Sequence, residues 1–248
     1  MDATRISDNK LVYIKRVATD GDELKIALLL NSEPLKQDPR NHCAHVLDHF
    51  QDPEDSTMTY MVMPFLRPLD DPAMNLVDDV VVFVDQMLEA RTFLQSDFLC
   101  ADVVLKGLVF LHEHGIAHRY VSLHTHNKIL TLVFSDCEAY NILMDADALY
   151  PRGYHPVNLG FLPDASHVAP RLRREHSTVR YYYADFGLSS HIPPDSPDKL
   201  VVGEFGREQD VPELSSDVPY DPFKVDVFII GSLFKKHFVE VWTRRTCT

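Results

Sequence analysis

Pro64, Pro68 and Pro72, with Asp70 and Asp71 among them, divide this chain. A proline gives no N–H to a ladder or a helix, and its ring fixes φ near about −65°. Three of them at four-residue spacing exclude a helix and a central strand here and predict an extended connector. The sequence on either side must then fold on its own patterning.

Before the connector, Leu11-Val12-Tyr13-Ile14 is a β-prone run ended by Lys15. Asp22 to Leu30 reads as a helix: Asp22 and Glu23 load its first turn, and Leu24, Ala27 and Leu28 form an apolar stripe. Val46 to Phe50 and Met58 to Met63 predict two strands around a polar turn, Asp52 to Ser56. After the connector, Leu76, Val80, Val84, Met87 and Leu88 give Asn75 to Glu89 a helical spacing. Gly107 to His114 fits a second helix with Leu108 and Leu111 on one face, and Val225 to Phe238 a third. Ile142 to Met144 and Val179 to Ala184 read as short strands. The fold class expected is α+β, with a small lobe over residues 1–66, a larger helical lobe over 67–240 and a tail at 241–248.

The charge balance narrows the partners. With 24 basic and 37 acidic side chains the net charge is −13, so the chain has no overall attraction for nucleic acid or anionic lipid. No apolar run reaches the roughly 18–20 residues that cross a bilayer, and Met1 to Arg5 lacks the apolar core of a signal peptide. Cys43, Cys100, Cys137 and Cys247 lie far apart without C-x-x-C pairing and read as reduced thiols. An intracellular, cytoplasmic protein with no nucleic-acid or membrane partner is expected.

The chemistry is concentrated in Asp136-Cys-Glu-Ala-Tyr-Asn141, the apolar Ile142-Leu143-Met144 that follows, and Asp185-Phe186-Gly187. An Asp and an Asn five positions apart can face one site from a single loop. The carboxylate there can accept a proton from an attacking hydroxyl, while the amide oxygen and a second Asp ligate magnesium. Upstream, Lys15 puts a cation at a strand end, and Glu23 on the next helix can hold it against nucleotide phosphates. Each motif alone is weak; all four in this order form a strong constellation.

On these residues the chain resembles the eukaryotic protein kinase family, and within it the kinase-like domains abundant in fungal genomes. The resemblance runs from about residue 1 to residue 238 and implies a bilobal protein-kinase-like fold that binds ATP and magnesium and phosphorylates Ser or Thr hydroxyls of a protein substrate. It implies that Lys15 contacts the nucleotide phosphates, with Glu23 as its helix partner, and that Asp136 is the catalytic base, with Arg119 beside it in the catalytic loop. Asn141 and Asp185 become the metal ligands, and Met63 to Leu66, with Met63 and Phe65, the segment that bonds adenine through backbone groups. Val211-Pro212-Glu213 resembles the end of an activation segment, and Asp226 an anchor for the catalytic loop.

The chain also departs from that pattern. Fourteen residues precede Lys15 and the first glycine is Gly21, so no glycine-rich loop lies before the lysine and a weak hold on the phosphates is expected. The small lobe is expected to be incomplete and the large lobe truncated. Sixteen residues, Tyr120 to Ser135, separate His118-Arg119 from Asp136. Their codons can carry splice donor, branch-point and acceptor sequences, and removing these sixteen codons restores His-Arg-Asp in frame; a genuine insertion is the alternative. Ala90 to Lys106 is either a second such segment or an amphipathic helix. Tyr150 to Val179, with four prolines, reads as an inserted loop, and its Arg171-Leu-Arg173-Arg174 cluster as a solvated basic patch. The expected alternative to an active enzyme is a catalytically impaired pseudokinase or interaction scaffold.

Overall fold

The computed structural model describes residues 1–69, 71–74, 76, 79, 83, 89–90, 103–104, 106–119, 141–174, 177, 179–203 and 211–235. Strands β1 (Asp2–Thr4), β2 (Leu11–Ala18), β3 (Asp48–Gln51) and β4 (Met58–Pro64) form one antiparallel sheet in the order β1-β2-β4-β3. The β-prone run does not stop at Lys15. It continues to Ala18 because β4 offers a full antiparallel partner, from Val12 opposite Pro64 to Ala18 opposite Met58. Successive side chains alternate between the faces: Val17, on the same face as Tyr13 and Lys15, is buried while its neighbours Arg16 and Ala18 are exposed, and Val12 is buried on the opposite face.

Helix α1 (Asp22–Leu30) matches its sequence reading, with acidic Asp22 and Glu23 in the first turn. Leu24 and Ala27 pack on Val17 and Met61 of the sheet, whereas Ile26 and Leu30 join the main core. One short helix thus holds the four-stranded sheet to the rest of the molecule. Each fully buried Leu or Ile there is worth about 1.5–3 kcal/mol relative to an exposed one.

The proline connector is extended as expected, and within it Arg67–Pro68 (β5) pairs with β9 (Ile142–Asp145). The ladder order β10-β9-β5 is completed by β10 (Arg180–Tyr183). Two-residue strands β6 (Glu89–Ala90) and β7 (Val103–Val104) pair with one another, so neither Glu89 nor Val103 is helical; Asp79 and Phe83 are helical, and most of the predicted helix Asn75–Glu89 lies outside the described residues. Helix α2 (Lys106–Glu113) carries Leu108 and Leu111 into the core, both fully buried. It is followed by β8 (Ile116–Ala117), which pairs with β11 (Ser190–His191). A further hairpin joins β12 (Val201–Gly203) to β13 (Ser215–Tyr220).

Helix α3 (Pro222–Phe234) begins three residues before the predicted start at Val225. The Asp221 side chain accepts the Phe223 N–H at 3.0 Å, and Pro222 follows it. An N-cap Asp with Pro in the first turn begins a helix without an apolar residue, because proline's missing N–H falls where no helical bond is made. Within the 150–174 stretch Tyr150, Tyr154, Leu162 and Ala169 are buried in the main core, while of the basic cluster Arg171, Leu172 and Arg173 are exposed as expected and Arg174 is half-buried.

The described chain is a mixed α/β structure with mostly antiparallel sheets and three α-helices. Among the described residues no helix is long and apolar enough to cross a membrane.

Candidate functional site

Lys15, Glu23 and Asp185 meet at one point, brought there by three different elements. Alternation along β2 places Lys15 on the same face as Tyr13, away from buried Val12, and the acidic first turn of α1 supplies Glu23. Asp185 comes two residues after β10 ends at Tyr183. The Lys15 ammonium donates to Glu23 Oε1 at 2.5 Å and to Asp185 Oδ1 at 2.8 Å, across 170 positions of sequence. Gly187 N–H donates to the same Asp185 oxygen at 3.2 Å. A Cβ on Gly187 would lie 3.1 Å from Asp185 Oδ1 and 3.4 Å from Glu23 Oε2, so the absence of a side chain there keeps the space between the two carboxylates open.

Burial acts differently on the three charges. It opposes the Lys15 cation, but Glu23 and Asp185 outweigh it and hold the ammonium above its ordinary pKa. Burial dominates at Glu23, whose carboxyl is raised although Lys15 pulls the other way. Asp185 is more exposed; burial opposes its charge too, but the Lys15 charge, the bond to it and the Gly187 N–H keep its carboxyl below the usual range. The cluster is therefore a firmly charged lysine between one low-pKa and one high-pKa carboxyl.

Asn141 precedes β9, and its carbonyl accepts the Ala184 N–H at 2.8 Å, extending the ladder past Ile142 opposite Tyr183. Asn141 and Asp185 thus sit at the same end of paired strands, with Asn141 buried and the Asp185 side chain half-exposed. No group of three or more His, Cys, Asp or Glu side chains placed to hold a metal ion is found among the described residues. Magnesium can be held by one or two carboxylates together with phosphates and water; Asp185 is the half-exposed carboxylate of the cluster.

His118 and Arg119 are positioned from the opposite side. Asp226, fully buried on α3, accepts the backbone N–H groups of His118 at 2.8 Å and Arg119 at 2.5 Å, and the ring of His112 is 2.9 Å away. His118 Nε2 faces the Ala184 carbonyl at 3.1 Å, which requires the proton on that nitrogen, and burial lowers the ring's pKa and keeps it neutral. Ser189 Oγ donates to the His118 carbonyl at 3.0 Å. The Arg119 guanidinium donates to Ser190 Oγ at 3.1 Å and Tyr220 Oη at 2.8 Å, and Tyr220 in turn donates to the Gly203 carbonyl at 2.8 Å. Arg119 and Asp185 both take left-handed backbone, with φ of 60° and 62°. Single residues hold such conformations only where their surroundings over-determine them.

Met63 pairs with Tyr13 across the β2–β4 ladder. The Phe65 N–H donates to the Leu11 carbonyl at 3.3 Å, and the segment Pro64-Phe65-Leu66 lines a cavity of about 170 Å³ with Val12, Tyr182, Lys10, Asp145 and Asp147, a lining that includes none of Lys15, Glu23 and Asp185. Asp136 lies outside the described residues, as do most of the 90–106 segment and the 241–248 tail. Ser190, Tyr220 and the ring of His112 escaped the sequence reading. Their roles arise from pairings of 71, 101 and 114 positions that no local pattern marks. No family model matches the chain, and no curated protein matches it.

Proposed function

We propose that this chain is a bilobal protein-kinase-like domain that binds Mg-ATP and directs phosphoryl transfer to Ser or Thr hydroxyls of a protein. The observation that carries the reading is the meeting of Lys15 with Glu23 at 2.5 Å and Asp185 at 2.8 Å; the sequence motifs pair Lys15 with Glu23 and give Asp185 to magnesium. A lysine held by a carboxylate on a neighbouring helix can meet nucleotide phosphates without relaxing toward solvent, and preorganised charge of this kind is the main protein contribution to phosphoryl transfer. Asp185, with Asn141 beside it in the ladder, would hold magnesium, which supplies charge neutralisation on the phosphates when bound. Asp136 would take the proton of the attacking hydroxyl. The Asp226 bonds to the His118 and Arg119 amides support the reading by giving the start of the catalytic loop a rigid footing.

A second reading, a catalytically impaired pseudokinase or interaction scaffold, is favoured by one observation: Tyr120, and not an aspartate, follows Arg119. Sixteen residues intervene before Asp136, so covalent adjacency to Arg119 does not by itself position the base.

The test is Mg-ATP titrated into the protein and into Asp185→Asn while the melting temperature is followed. Ligand at ten times its Kd stabilises by about 1.4 kcal/mol, or about 3–6 °C for a chain of this size. The shift is expected at millimolar Mg-ATP and is abolished by the substitution. Identical shifts for both proteins, or none for either, would overturn nucleotide binding at this site. Transfer of labelled phosphate to a mixed protein substrate then separates the active reading from the pseudokinase one.

A further inference from the structure

The 150–174 stretch is built into the connector at both of its ends. At its beginning the Tyr150 and Tyr154 rings lie 4.5 and 4.6 Å from the Arg67 guanidinium, a fully buried cation in the connector strand β5. Asp71 meets that charge at 2.9 Å, and Arg67 donates to the Leu159 carbonyl at 2.8 Å and the Asp71 carbonyl at 3.1 Å. The Tyr154 ring also packs on Phe65, with centroids 6.1 Å apart. At its end Arg174 donates from one nitrogen to the Leu69 carbonyl, at 2.8 Å, and to the Pro72 carbonyl. The other nitrogen donates to Tyr181 Oη at 2.7 Å and contacts Met144 Sδ at 2.9 Å. Tyr181 belongs to β10 and Met144 to β9, the ladder at whose end Asn141 and Asp185 sit.

We infer that residues 150–174 are a clamp that sets the course of the connector, with Arg67 and Arg174 as its positioning residues. The chemistry follows from the prolines. A segment carrying Pro64, Pro68 and Pro72 lacks three backbone N–H groups, and beyond the two-residue pairing of β5 its carbonyls need other donors. A planar guanidinium can take two carbonyls on one side and a hydroxyl on the other. Tyrosine faces supply a low-cost environment for the fully buried Arg67 cation. Met63 and Phe65 lie immediately before the clamped residues, so the clamp also fixes where the adenine-facing segment stands relative to Asp185. This last step rests on the reading of the site given above.

The experiment is amide hydrogen exchange on the full chain and on Arg174→Met, Arg174→Lys and Tyr154→Leu, with Mg-ATP affinity measured for each. Arg174→Met should accelerate exchange across residues 65–74 by about tenfold, the scale set by leaving a buried carbonyl unpaired, with no change in α2. Arg174→Lys should be intermediate, because a point charge replaces the fork. Tyr154→Leu reaches the clamp from its other end and should give the same local signature, and so stands in if Arg174→Met fails to fold. Mg-ATP should bind about tenfold more weakly to the variants, in proportion to the local opening. If the unaltered chain binds no nucleotide while the connector still opens locally, the reading of the site falls and the clamp stands. Unchanged exchange, or acceleration spread evenly over the molecule, overturns the clamp. Local opening with nucleotide affinity unchanged overturns its link to the site.

Discussion

Lys15 is the residue on which the charge cluster turns, because it alone balances two carboxylates of different burial. Remove its charge and Glu23, already raised by burial, rises further, while Asp185 loses what holds it below the usual range. A group whose folded pKa lies above its unfolded value stabilises below the unfolded pKa and loses that contribution as pH rises through the folded one. In Lys15→Met Glu23 falls in this class, and Asp185, lowered in the parent, loses most of the stabilisation it contributes above its unfolded pKa, so the cost of the substitution should be small near pH 4 and grow towards pH 7. Removing one partner of a fully buried pair costs about 3–5 kcal/mol. Here all three side chains keep partial solvent access, so about 1–3 kcal/mol is expected at pH 7. Urea unfolding at pH 4, 5.5 and 7 measures it; a penalty that stays level or shrinks with rising pH would show that the carboxyls are not coupled to Lys15.

Among the elements, the turn from α2 into β8 shows how a short motif is closed. Gly115 has φ of +69°, its N–H donates to the His112 carbonyl at 3.0 Å, and its own carbonyl accepts Ile192 N–H at 2.7 Å. A Cβ there would stand 2.1 Å from the Ile192 backbone oxygen. Gly115→Ala must therefore bear the left-handed backbone penalty of about 1–2 kcal/mol and also push β11 away from β8. A loss of about 2–4 kcal/mol is expected, lowering the melting temperature by roughly 4–16 °C. A thermal melt within a degree of the parent's would mean that the β8–β11 pairing gives way freely. The effect should be visible at His118, whose carbonyl is held by Ser189 just before β11.

At the scale of the whole molecule, α3 reaches back through Asp226 to residues more than a hundred positions earlier. That contact fixes the His118 and Arg119 amides. Excising residues 120–135 makes Asp136 the residue that follows Arg119. Since a misplacement of about 1 Å can cost about a hundredfold in rate, phosphotransfer by the excised protein should exceed that of the full chain by tenfold or more on the same scale. Equal or lower transfer would show that the sixteen residues belong to the working loop.

Local patterns make several elements legible in the sequence alone. The acidic first turn and apolar stripe of Asp22–Leu30 recur as α1, and Leu108 and Leu111 point inward from α2 as their spacing required. The Lys15, Glu23 and Asp185 set is readable for the same reason, since each sits in a short motif whose element type constrains its direction. What local pattern cannot hold is the identity of a partner far along the chain. Whether β2 continues past Lys15 depends on the length of β4, and whether Arg174 is solvated depends on two carbonyls more than a hundred positions away. A run of prolines and arginines carries the same composition in a solvent loop as in a clamp. The sequence by itself determined the elements and the order of the charged residues, because propensity, capping and side-chain period act over a few neighbouring residues. Only the tertiary structure decided which buried carbonyls and carboxylates those charges met, because burial makes an unpaired polar group costly and the nearest partner in space need not be near in the chain.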